Sequence, residues 1–145
     1  RQLEELEEEH AKVEDALRVA EAKFRGIFEN TVVGIYQTTV DGRYLSANPM
    51  LARIYGYGSV DELVHAVNDI EHQLYVDPGT RDRFKEALQR EDMLVNFEAQ
   101  IRRKDGQVIW IAENARVVRD DQGAVTFYEG TVQDITARKA AEEGQ

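Results

Sequence analysis

From residue 94 to 104 apolar and polar residues alternate. Val95, Phe97, Ala99 and Ile101 fall on one side, and Asn96, Glu98, Gln100 and Arg102 on the other. A period of two describes a strand with one face on a core and the other toward water. Leu94–Lys104 turns at Asp105-Gly106 into Val108–Arg119, which turns at Asp120–Gly123 into Ala124–Ile135, so three antiparallel strands follow one another. Two shorter strands, Val33–Thr38 and Arg43–Ala47, flank an Asp41-Gly42 hairpin turn. Between the two groups lie helix signals. Asn48-Pro49 opens a helix to Tyr55, with Asn as cap and Pro in the first turn, and Gly56-Tyr57-Gly58 ends it. Ser59 caps a short helix through about His65, and Asp69–Leu74 forms a further turn. Asp77-Pro78 repeats the cap-plus-proline device before a helix to about Arg90, with Phe84 and Leu88 facing inward. This order describes an α+β domain on a five-stranded antiparallel sheet.

The first 28 residues follow another rule. Leu3, Leu6, His10, Val13, Leu17, Ala20, Phe24 and Ile27 recur at steps of three and four, a coiled-coil-like seam, with Glu, Arg, Lys and Gln over most other positions. Glu8–Lys12, Glu14–Arg18 and Glu21–Arg25 are spaced four apart in the favourable order. A helix over about residues 2–28 is expected. Glu9 facing Glu14 of a parallel twin is repulsive, and Ala16 and Gln2 give Glu21 and Glu7 no partner. His10 also interrupts the seam. Seam regularity outweighs these screened surface charges, so a homodimer is expected, with a single helix folded on its own domain as the alternative.

Charge and composition narrow the function. The net charge is −10, with 28 acidic against 18 basic residues, which disfavours nucleic acid and direct membrane contact. No apolar run spans a bilayer and no signal peptide is apparent. The chain has no cysteine, so disulfides, thiolate metal sites and cysteinyl–flavin chemistry are excluded, in keeping with a cytoplasmic setting. No nucleophile–base set or phosphate loop is present, and no enzymatic activity is expected.

Together, these elements resemble the PAS family from about residue 22 onward. The resemblance is carried by Phe28-Glu29-Asn30, Asp41-Gly42-Arg43, Asn48-Pro49, Arg103-Lys104-Asp105-Gly106 with Trp110, and Asp134-Ile135-Thr136 followed by Arg138-Lys139. It implies a PAS fold over residues 29–136, with short helices on one face of the sheet, the helix 1–28 before it and the start of an output helix at 137–145. It further implies a sensory or dimerisation module of a histidine kinase, nucleotide (diguanylate) cyclase or similar two-component or signalling protein, with a covalently linked effector. No cofactor is required, and a small-molecule ligand is possible.

Strand parity and the resemblance give pocket candidates: Ile35, Gln37, Phe97, Ala99, Ile101, Ile111, Glu113, Ala115 and Tyr128 from strands, and Ile54, Tyr55, Leu63, Ile70, Tyr75, Phe84 and Leu88 from helices. The parity of the last strand comes from the family. Glu113 is singular, a carboxylate breaking the apolar stripe Ile109, Ile111, Ala115 and Val117. Either it holds a polar or cationic ligand, or an internal group such as Tyr128 or Arg53 satisfies it. Trp110, on the other face, is expected to pack against the incoming helix. His72 is the candidate for the alternative of a haem-based gas sensor, and a ligand-free scaffold is the other alternative. At the exit, Thr136 is expected to cap the last helix, and Arg138 and Lys139, set where the helix dipole disfavours cations, are expected to pair with a carboxylate such as Asp134. Asp134, Ile135, Thr136, Arg138 and Lys139 would then couple sheet to output helix.

Overall fold

The computed structural model describes residues 1–144. Its chain divides into two compact units, one ending at Thr31 and the other beginning at Val32. The first is a single helix, α1 (Gln2–Asn30), none of whose residues is buried. Every large apolar seam position, Leu3, Leu6, Val13, Leu17, Phe24 and Ile27, is exposed. The helix is held by pairs such as Arg25–Glu21, and the Phe24 and Phe28 rings stack at 5.8 Å.

The second unit is built from β1 (Gly34–Thr38), β2 (Tyr44–Ala47), α2 (Pro49–Ile54), α3 (Val60–Ala66), α4 (Ile70–Gln73), α5 (Thr80–Glu91), β3 (Met93–Arg102), β4 (Val108–Arg119), β5 (Val125–Asp134) and α6 (Thr136–Glu143). The strands form one antiparallel sheet in the order β2-β1-β5-β4-β3. The last strand therefore lies in the middle, paired with the first. Asp105-Gly106 makes the β3–β4 turn, where Gly106 has φ +88°.

Caps set the short helices. Asn48 Oδ1 accepts from the Leu51 amide at 3.0 Å and from the Ile35 amide at 2.8 Å, so one buried side chain starts α2 and ties it to β1. Ser59 caps α3 and Asp69 caps α4. Asp77-Pro78 does not cap a helix. Asp77 Oδ1 accepts from Gly79 N in a tight turn, and α5 begins at Thr80 without a side-chain cap.

Two packed clusters make the core. The larger joins Tyr36, Leu51, Ile54, Tyr55, Leu63, Ile70, Tyr75, Ala99, Ile101 and Ile111, among others, and the smaller joins Phe84, Leu88, Ala115 and Tyr128. Phe97 packs against both.

The alternation read along β3 breaks at its start. Val95 is 69% exposed, while Leu94 is half-buried. The register shifts between Leu94, opposite Ala115, and Phe97, opposite Glu113, so Val95 and Asn96 together face one residue. Asn96 takes φ +54°, the left-handed region Asn tolerates, and its amide donates to Asn114 Oδ1 at 2.9 Å. This β-bulge swaps the two faces upstream of Phe97.

Candidate functional site

Glu113 is 4% exposed, on β4. Its two oxygens are each taken by a tyrosine hydroxyl: Tyr36 donates to Oε2 at 2.7 Å, and Tyr75 donates to Oε1 at 2.6 Å. The internal partners are thus neither Tyr128, which packs in the smaller cluster, nor Arg53, which is exposed. Burial raises the Glu113 carboxyl above the ordinary carboxylate range, and the tyrosine bonds and nearby Arg81 partly offset this. Burial likewise pushes the Tyr36, Tyr55 and Tyr75 phenols well up, with Glu113 adding to each.

Three placements bring these groups together. Tyr36 leaves β1 toward the interior and crosses β5 at Gly130. A Cβ there would lie 2.2 Å from the Asn114 carbonyl and 2.8 Å from the Tyr36 hydroxyl, so only glycine fits. Tyr75 follows α4 in a segment that runs along the free edge of β3: Arg102 N donates to Leu74 O at 2.8 Å, and Val76 N donates to Gln100 O at 3.2 Å. Arg81 enters from α5, where it is 2% exposed with its guanidinium 4.9 Å from the Phe84 ring centre and 5.8 Å from that of Tyr128.

Around Glu113 they leave a cavity of about 10 Å³, lined by Tyr36, Thr38, Tyr44, Tyr55, Ile70, Leu74, Tyr75, Arg81 and Glu113. That is the room needed for about one water molecule. Tyr55, Ile70, Tyr75 and Glu113 among the candidates line it. Ile54, Leu63, Ala99, Ile101 and Ile111 are buried in the surrounding core, and Phe84, Leu88, Ala115 and Tyr128 in the neighbouring cluster. Ile35 and Gln37 are displaced: β1 turns Tyr36 and Thr38 inward and leaves Ile35 and Gln37 half-buried on the opposite side, where Gln37 accepts from Ser46. Tyr36, Thr38, Tyr44, Leu74 and Arg81 were not read from the sequence. For Arg81 a signal existed, since it precedes Phe84 and Leu88 by three and seven residues and so shares their helix face.

His72 lies outside this interior. Its side chain is 71% exposed, and Nδ1 meets Asp69 Oδ2 at 2.7 Å, which raises its pKa from the ordinary value. With an interior of that volume, neither placement nor space fits haem. Asp69, Glu71 and His72 do lie within reach of a common point, but Asp69 is already occupied capping α4.

At the exit, the carboxylate serving both cations is Glu98 of β3, not Asp134. Arg138 Nη2 lies 2.5 Å from Oε2 and Lys139 Nζ 2.6 Å from Oε1. These cations hold Glu98 below the usual carboxylate range, the Lys139 hydrogen bond foremost. The Lys139 ammonium also sits 4.6 Å from the centre of the Trp110 ring. Thr136 is the first residue of α6 and not its cap. Its amide donates to Asp134 Oδ1 at 2.9 Å, its hydroxyl accepts from Trp110 N at 3.1 Å, and Ile135 N donates to Trp110 O at 2.9 Å.

A family profile described as PAS fold matches residues 44–132. The chain belongs to the PAS family. Among curated relatives, this PAS domain is 28% identical over 134 residues to the sensor histidine kinase TmoS of Ectopseudomonas mendocina, covering 88% of the chain and 13% of that protein. It is 31% identical over 138 residues to a methyl sulfide methyltransferase-associated sensor of Methanosarcina acetivorans, covering 94% of the chain and 13% of that protein. The crystal structure of a PAS domain from Colwellia psychrerythraea superposes with a TM-score of 0.67 at 20% identity, over 81% of this chain and 98% of the other. The chain thus spans about an eighth of the curated relatives' length. The PAS domain is a sensory module of signalling proteins and not itself catalytic. No helix among the described residues is long and apolar enough to cross a membrane.

Proposed function

We propose that this PAS domain relays a signal, received at its interior or through α1, to an effector joined beyond α6, in a histidine kinase, diguanylate cyclase or related cytoplasmic signalling protein. The observation that carries the proposal is the double pairing of Glu98 with Arg138 and Lys139, which ties the first turn of α6 to β3. A shift of β3 against β4 then tilts α6. The signal acts by favouring one of two arrangements, which requires that it interact differently with each.

Self-association through the α1 seam is part of this reading. Six large apolar side chains at heptad spacing are exposed, and a second copy is the partner whose spacing matches. A ligand-free scaffold is the second reading, favoured by an interior of about 10 Å³. The relay is tested in the longer protein by replacing Glu98 with Gln. Effector output that no longer follows the input supports the relay, and output that follows it as before contradicts it.

A further inference from the structure

The α1 seam departs from an ideal pairing surface in two ways, and both fall in the same heptad. His10 is the one polar residue on the seam between Leu3 and Ile27. In a parallel pair the positions flanking the seam meet as Gln2 with Glu7, Glu9 with Glu14, Ala16 with Glu21 and Lys23 with Phe28. Only Glu9 and Glu14 oppose like charges, and they do so directly beside His10. Within one helix, His10 Nε2 already lies 3.0 Å from Glu14 Oε1, so the imidazole is turned toward that flank. Leu6, Glu7, His10, Ala11 and Glu14 line one groove of the helix surface, and no residue of α1 is buried. A histidine in the seam and a carboxylate pair at its side are each unfavourable alone. Placed together, they can cancel.

We propose that α1 pairs in parallel with a second copy of this chain, and that His10, once protonated, is the counter-charge that tightens the pair. The inference rests on the self-association through α1 proposed above, and adds to it an orientation and a control. With neutral imidazoles, a parallel pair holds two Glu9–Glu14 repulsions that nothing relieves. Imidazole is the side chain that gains a charge between pH 8 and pH 5. Each protonated His10 then lies between its own Glu14 and the Glu9 of the second copy, with Glu7 one turn away on the same face. The two cations repel each other across the seam. Four flanking carboxylates outnumber them, so the contact as a whole becomes attractive. Pairing therefore takes up protons, and the dimer tightens as pH falls. These charges lie near water and are screened by salt, which makes the effect several-fold and largest at low ionic strength. Through α1, acidification would reach the module as a shift toward the paired state.

The test is sedimentation equilibrium of the chain from about pH 8 to pH 6, the range in which imidazole gains its charge, at low and constant ionic strength. The native dimer is expected to tighten several-fold over that range, with a limit of about tenfold per pH unit for each proton taken up. His10→Gln leaves every other titrating group in place and is expected to lose most of the tightening. Glu9→Gln combined with Glu14→Gln is expected to pair more tightly than the native chain at the alkaline end and to gain nothing on acidification. All three positions are exposed, so the variants keep their helix, which circular dichroism checks. A dimer equally tight at both ends of the range overturns the proposal but leaves self-association standing. So does a tightening that survives in His10→Gln. A native chain that stays monomeric at every pH removes both. The Glu98 pairing is untouched by either result and is judged separately by the exchange of α6.

Discussion

The Tyr75 hydroxyl donates to Glu113 Oε1 at 2.6 Å, joining a segment on one edge of the sheet to the strand β4 inside it. Tyr36 closes the other oxygen from β1. The one carboxylate that breaks the apolar stripe of β4 is thereby the point where three separate parts of the chain meet.

Removing that point leaves two buried hydroxyls without an acceptor. Glu113→Leu is expected to lower stability by about 1–3 kcal/mol for each orphaned group, less whatever the removal of a buried carboxylate returns. Glu113→Gln, which keeps an acceptor, is expected to lose much less. Urea unfolding of both variants near neutral pH measures the difference.

The pH dependence has a definite sign. The folded carboxyl of Glu113 titrates above its ordinary value of 4.5, so the folded state binds the extra proton in the window between them. Stability from this group is present below that window and is lost as pH rises through the folded value. The difference between Glu113→Gln and the native chain is therefore expected to shift in favour of the variant across that window. Urea midpoints measured from pH 4 to pH 8 check this, and a constant difference would count against a raised carboxyl.

The smaller cluster depends on Phe84, fully buried with its ring 5.8 Å from that of Phe97 and 5.9 Å from that of Tyr128. Phe84→Ala is expected to cost about 3–5 kcal/mol. Val95→Thr, on the solvent side of the bulge, is expected to stay within about 0.5 kcal/mol. Thermal unfolding of the two variants separates these outcomes, and a large loss at Val95 would argue against the bulge.

Much of this was legible in the sequence for identifiable reasons. The turns at Asp41-Gly42, Asp105-Gly106 and Asp120–Gly123 and the alternation from Phe97 to Ile101 announced the β1–β2 hairpin and the β3–β4–β5 meander, but not the pairing of β5 with β1, and Asn48 and Ser59 announced their helices as caps. The face of β1 was not legible. Gly34–Thr38 reads Gly-Ile-Tyr-Gln-Thr, and apolarity alone puts Ile35 inside. Tyr36 goes inside because Glu113 accepts its hydroxyl and Gly130 leaves it room, both more than seventy residues away. The bulge at Asn96 depends on a side chain of β4 in the same way. Arginine is so seldom buried that Arg81 went unmarked despite sharing a helix face with Phe84.

The α1 seam yields a further expectation. Replacing Leu6 and Leu17 with Lys puts charges at two exposed seam positions without touching a buried residue. Sedimentation of the native chain as a dimer and of the variant as a monomer is expected, with unchanged thermal unfolding of the sheet domain. The same subunit number for both would remove α1 from the interface.

The most direct measurement of the relay is amide hydrogen exchange across α6, in the native chain and in Glu98→Gln. Glu98 on β3 is the carboxylate that meets both Arg138 and Lys139 of α6, so its neutralisation is expected to speed exchange of the last helix several-fold while β4 and β5 keep their protection. High salt or acidification below the lowered Glu98 value is expected to reproduce the effect in the native chain. Unchanged exchange in α6 would mean that the helix is held by other means, and that the pairing with Glu98 carries no motion from the sheet.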